Sequence, residues 1–93
     1  MSKKRFDSVW DAIENSSAEA ENMKLRSKLM RAIIDFIERE ELSQAEAAKL
    51  MAVTQPRISD LVRGKIDLFS IDMLVNMLSA AGLNVDLKVG RAA

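Results

Sequence analysis

The stretch LSQAEAAKLMAVTQPRISDLVRGK, Leu42 to Lys65, decides how this chain is read. It divides into two short apolar patterns. In the first, Ala47, Ala48, Leu50 and Met51 fall at helical spacing behind Ser43. Ser43 with Glu46 three residues on has capping-box spacing, in which hydroxyl and carboxylate each satisfy a free backbone N–H at a helix start. In the second, Ile58, Leu61 and Val62 form an inward side. Gln55, Arg57, Ser59, Asp60 and Arg63 form the outward one. Pro56, the only proline, falls in the first turn, where its missing N–H is one of the unpaired donors anyway. Proline also disfavours α geometry in the residue before it, so Thr54 and Gln55 both stand as caps. Gly64 is a natural C-terminal stop.

Two short capped helices joined only by Ala52 and Val53, with small residues on the first, describe a helix-turn-helix. Such a unit projects its second helix into the major groove while the first crosses the DNA backbone. A groove about 12 Å wide admits one helix. The stretch resembles the helix-turn-helix of the phage-repressor-like (XRE) family. Gln44 opens the first helix, Ala48 is at the family's small position, and Ile58 and Leu61 are at its core positions. Flanking it, FDSVWDAI and LFSIDMLVNMLSAAGLNVDLKV are similar to the compact HigA-like antitoxin branch of that family. One departure stands out. The family usually has glycine in the turn where this chain has Ala52. If that position needs a positive φ, alanine costs about 1 kcal/mol there.

The resemblance sharpens the outward residues into candidates. Gln55 can form a bidentate pair with adenine, and Arg57 can pair with guanine or phosphate. Pro56 can touch a thymine methyl, and Asp60 can accept from cytosine or orient Arg57 or Arg63. Gln44, Thr54, Arg63 and Lys65 are candidate phosphate contacts. Each has a plainer counterpart. Thr54 can simply cap, Pro56 simply initiate, and Arg57 pair with Asp60 at i,i+3. Arg63 and Lys65 can be solvated surface charge.

Upstream, Phe6, Val9, Trp10 and Ile13 recur at i, i+3, i+4 and i+7, which predicts a short leading helix over 6–15. The polar run ENSSAEAEN breaks the pattern. Ser16 with Glu19 predicts a new helix running to about Glu40. Leu25, Leu29, Ile33, Phe36 and Ile37 line one side of it, widened by Met30 and Ile34. Arg31–Asp35 and Asp35–Arg39 are i,i+4 pairs on the outer side. Downstream, KIDLFS reads as a loop. Ser70 caps a helix to Ala81 with Ile71, Leu74, Val75 and Leu78 inward, and Gly82 ends it. LNVDLKV, residues 83–89, alternates apolar and polar as a half-buried strand does. The expected fold is all-α: one domain of five helices, with the helix-turn-helix at 43–64 and one C-terminal strand. The methionines and Trp10 read as packing.

A lone strand leaves its backbone groups unpaired. Pairing Leu83, Val85, Leu87 and Val89 with a second copy across a two-fold axis would satisfy them. It would also set two reading helices about 34 Å apart for a palindromic operator. Net charge is zero, with 14 basic and 14 acidic residues, but it is unevenly spread. Residues 6–23 carry five acidic side chains and no basic one, whereas residues 43–66 carry four basic and two acidic. The acidic stretch from Asp7 to Glu21 is a solvated face or, as the resemblance implies, a patch for a basic RelE-like ribonuclease toxin. The chain has no cysteine and no histidine, which removes disulfides, thiolate nucleophiles, imidazole bases and the usual zinc ligands. No enzymatic activity, cofactor or metal is expected. No apolar run nears the roughly 20 residues of a membrane span, and a cytoplasmic, nucleoid-associated address is expected. The expected function is a homodimeric repressor, the antitoxin of a pair that represses its own operon. A stand-alone regulator, or a protein-interaction module on the same fold, are the alternatives.

Overall fold

In a computed structural model the backbone is described for residues 8–91 and side chains for residues 17–91. The described chain forms four α-helices: α1 (Ser8–Arg39), α2 (Gln44–Leu50), α3 (Gln55–Val62) and α4 (Ile71–Ala80). A single 3-10 turn, Ile66–Leu68, lies between α3 and α4. The separate leading helix at 6–15 is corrected. Residues 8–39 form one continuous helix of 32 residues, so four helices stand where five were expected. The reason is local. The polar run at 14–22 holds no glycine or proline. Extending an existing helix adds one hydrogen bond per residue, whereas stopping and restarting it requires a second nucleus. Phe6 lies outside the described residues, as do the side chains of Val9, Trp10 and Ile13.

A helix this long spans about 48 Å. Among the described side chains the core draws on its C-terminal part. Residues 17–24 are exposed throughout, and core packing begins at Leu25. The radius of gyration, 16.6 Å, exceeds the roughly 12 Å of a compact chain of this length, as a projecting helix requires.

One apolar cluster joins all four helices. Leu29, Met30, Ile33 and Ile37 of α1 meet Ala47, Ala48 and Met51 of α2 and its end. Ile58 and Leu61 of α3, Phe69, and Leu74, Met77 and Leu78 of α4 complete it. The two alanines are buried at the centre, and their small size brings α3 close to α2. Met30, Met51 and Met77 are packed, as expected of methionine; Met23 is exposed. Arg31 pairs with Asp35 at 3.1 Å and with Glu38 at 3.9 Å. Arg39 sits over the Phe36 ring at 5.8 Å instead of pairing with Asp35.

All four helices close in the same way. The N–H three residues past the helix reaches back five residues: Leu42 to Ile37 at 3.0 Å, Val53 to Ala48 at 3.0 Å, Lys65 to Asp60 at 3.0 Å, and Leu83 to Leu78 at 2.9 Å. This Schellman closure needs a left-handed residue just before that donor. Two of the four are glycines, Gly64 and Gly82; the others are Glu41 at φ +53° and Ala52 at φ +60°. The turn therefore keeps the geometry that favours glycine, with alanine in it.

The C-terminal strand is also corrected. Residues 83–91 are coil, with no ladder partner among the described residues. Alternation specifies which side chains share a face, but a strand exists only when another backbone completes its hydrogen bonds. Leu83 packs against the chain's own core. Exposure then rises along the tail, from 38% at Val85 to 63% at Leu87 and 86% at Val89.

Candidate nucleic-acid interface

The interface is built by α2, α3 and the turn between them. Ser43 and Glu46 form the expected capping box. The Glu46 N–H donates to Ser43 Oγ at 3.0 Å, and the Ser43 N–H donates to Glu46 Oε1 at 2.8 Å. At the start of α3 the Arg57 N–H donates to Thr54 Oγ1 at 3.3 Å. Thr54 is thus the cap, at φ −80° and ψ 158°, with Gln55 the first helical residue and Pro56 the second. Gln55, the residue that proline disfavours from α geometry, is nonetheless helical, and Thr54 is extended because it is the cap.

Ile58 and Leu61, both fully buried, set the rotation of α3. That rotation leaves Thr54, Gln55 and Pro56 exposed at its N-terminal end and Arg63, Gly64 and Lys65 exposed at the other. Gln44, the first residue of α2, is half-buried. Val62, expected inward, is 43% exposed.

Two candidates do not stand as the sequence placed them. Asp60 pairs with neither Arg57 nor Arg63; its nearest cation is Lys65, at 3.7 Å. Asp60 and Lys65 are the two ends of the Schellman closure of α3, where the other three helices each put an apolar pair. The ion pair therefore takes the place of a hydrophobic contact. Arg57, in turn, is not paired with Asp60. Its Nη1 donates to the Leu68 carbonyl at 3.2 Å, and its guanidinium carbon lies 5.5 Å from the Phe69 ring centroid. A second arginine, absent from the sequence-based candidates, holds the same segment. Arg26 of α1 donates through Nη1 to the carbonyls of Ile66 at 2.9 Å and Phe69 at 3.3 Å. No local pattern marks Arg26, because its partners lie 40 and 43 residues away.

The geometry is that of a capped two-helix unit on a support made by α1 and α4. A family profile described as a helix-turn-helix domain matches residues 12–90. A solved structure, described provisionally as an XRE family transcriptional regulator, superposes with a TM-score of 0.72 at 31% identity. The similarity covers 80% of this chain and 83% of that one. The chain belongs to the XRE helix-turn-helix family. Among curated proteins, none is significantly similar to it. The family match to this XRE chain is not confined to residues 43–64. It takes in part of α1 and most of the C-terminal tail. Among the described residues no helix is long and apolar enough to cross a membrane.

Proposed function

We propose that this XRE-family chain is a sequence-specific DNA-binding transcriptional regulator, acting as a dimeric repressor at a palindromic operator. The observation that supports it is the orientation of α3. Its core face is consumed by Ile58 and Leu61, which leaves Gln55 and Pro56 uncovered at its capped N-terminal end. That is the end of a reading helix that meets base edges. Gln55 reads a base, adenine by its paired donor and acceptor, and Pro56 packs against a thymine methyl. Arg57 supplies a guanine or phosphate contact, and Gln44, Thr54, Arg63 and Lys65 contact phosphates. Asp60 sits close enough to Lys65 to orient it, rather than reading cytosine.

Dimerisation uses the tail. Val85, Leu87 and Val89 are apolar, alternate in sequence and are uncovered in the single chain, while Leu83 anchors the segment to the core. Two copies double the phosphate contacts, so zero net charge is no obstacle. The finer reading is a HigA-like antitoxin in the cytoplasm. The supporting observation is that Glu19 and Glu21 of the acidic stretch lie on the exposed, projecting part of α1. That part is available to a basic ribonuclease-type partner.

The test is binding of duplex DNA from the chain's own upstream region across a salt series. Two or three cationic phosphate contacts per copy predict a log–log slope of about −4 to −5 for the dimer. Gln55→Ala should lose discrimination between sequences, and Lys65→Ala should flatten the slope while leaving that discrimination unchanged. No salt-dependent binding to any duplex would refute the regulator. Co-purification with the product of an adjacent reading frame tests the antitoxin reading, and loss of the complex on reversing Glu19 and Glu21 to lysine locates it.

A further inference from the structure

The segment that follows the reading helix is held from two sides by arginines of different helices. Arg57 of α3 binds the Leu68 carbonyl and lies over the Phe69 ring. Arg26 of α1 binds the carbonyls of Ile66 and Phe69, and its Nε is itself fixed by Asn22 Oδ1. Phe69 is 3% exposed, so the ring under Arg57 is immobilised by the core. We propose that Arg26 is a positioning residue for Arg57: it locks the Ile66–Phe69 turn, and the locked turn holds the Arg57 guanidinium in a set orientation for DNA. This rests on the reading that Arg57 contacts DNA.

The chemistry fits arginine in both roles. Within the turn the Ile66 carbonyl already accepts the Phe69 N–H at 3.2 Å, and a carbonyl's second lone pair leaves room for a further donor. The Ile66 and Phe69 carbonyls both converge on a single nitrogen of Arg26. The charged guanidinium makes each bond stronger than a neutral donor does. A lysine has the charge but not the planar fork, and it does not hold Asn22 and the turn together. At Arg57, one Nη1 hydrogen is committed to Leu68. The Nε–Nη2 edge remains, and that edge alone suffices for a bidentate pair with guanine or phosphate. A free arginine on an exposed helix samples many rotamers and loses that freedom on binding. An arginine already ordered by a carbonyl and a ring loses less, which corresponds to about two- to tenfold in affinity.

The experiment uses the full chain and a labelled duplex that the unaltered chain selects from a randomised pool. Dissociation constants are measured for Arg26→Met, Arg57→Ala and the double variant, on the selected duplex and on single-base changes of it. The expected result is a two- to tenfold loss for Arg26→Met with weakened discrimination at one base position, and no further loss when Arg57 is already alanine. The Arg57 Nε–H resonance of the free protein should lose its Phe69 ring-current shift in Arg26→Met. Equal loss in both Arg57 backgrounds, or an unmoved resonance, would overturn the positioning role while leaving Arg57 a DNA contact. If Arg57→Ala binds and discriminates like the unaltered chain, the reading of Arg57 fails, and the inference with it. Should Arg26→Met melt below the assay temperature, Arg26→Lys carries the same cycle. Its effect should be smaller and equally absent in the Arg57→Ala background.

Discussion

Ala52 holds the turn of the helix-turn-helix at φ +60°, and replacing it with glycine should stabilise the protein. A left-handed conformation costs an L residue about 1–2 kcal/mol, because Cβ crowds the following carbonyl. Glycine escapes that cost but brings a more flexible unfolded chain, which takes back about 0.4–1 kcal/mol. Ala52 is exposed, so removing its methyl forfeits no core burial. The backbone bonds of the closure, Val53 N–H to Ala48 and Ala52 N–H to Lys49, do not involve the side chain. The net gain for Ala52→Gly is about 0.5–1 kcal/mol. In a domain of this size that raises Tm by about 2–8 °C. Urea denaturation followed by circular dichroism, with thermal melts beside it, reads the effect. A higher midpoint at unchanged slope is the expected outcome. Gly64→Ala is the mirror experiment. An added Cβ at Gly64 meets no atom within 4 Å, so its expected loss of about 1 kcal/mol is backbone strain alone. An unchanged or lowered midpoint for Ala52→Gly would refute the argument that alanine is strained here. So would a neutral Gly64→Ala.

Thr54→Ala should cost about 1 kcal/mol by removing the cap of α3, with Thr54→Ser close to neutral in the same melts. Leu61→Ala empties a fully buried site at the α3 core face and should cost about 2–5 kcal/mol, enough to broaden or abolish the cooperative melt. A double-mutant cycle on Asp60 and Lys65 should return at most about 1 kcal/mol, since Lys65 is 46% exposed at its side chain. A chain ending before Leu83 should sediment as a monomer, and an unchanged dimer would exclude pairing through the tail.

Much of the site was legible because its signals are local. Capping residues declare themselves within three positions, so Ser43–Glu46 and Ser70 stand where the spacing put them. Period 3.6 identified Leu29, Ile33, Ile37, Ile58, Leu61, Leu74 and Leu78 as core, because burial follows helix face. Polarity alone, without glycine or proline, does not break the helix at residues 14–22. Helix continuity depends on backbone compatibility, not on having an apolar face to bury. Where proline makes two caps equally permissible, only the coordinates choose, and they choose Thr54.

By itself the sequence determined the two short helices and most of the buried face of each, since both depend on neighbours within one or two helical turns, whereas the left-handed backbone at Ala52 came from the structure. Only the tertiary structure decided where the charges go. Arg57 rests on Leu68 and Phe69, Asp60 on Lys65, and Arg26 on carbonyls more than 39 residues away. Long polar side chains have many partners of similar energy within reach. Which one they take is set by the loop that packing brings beside them, and no periodicity in the chain records that choice.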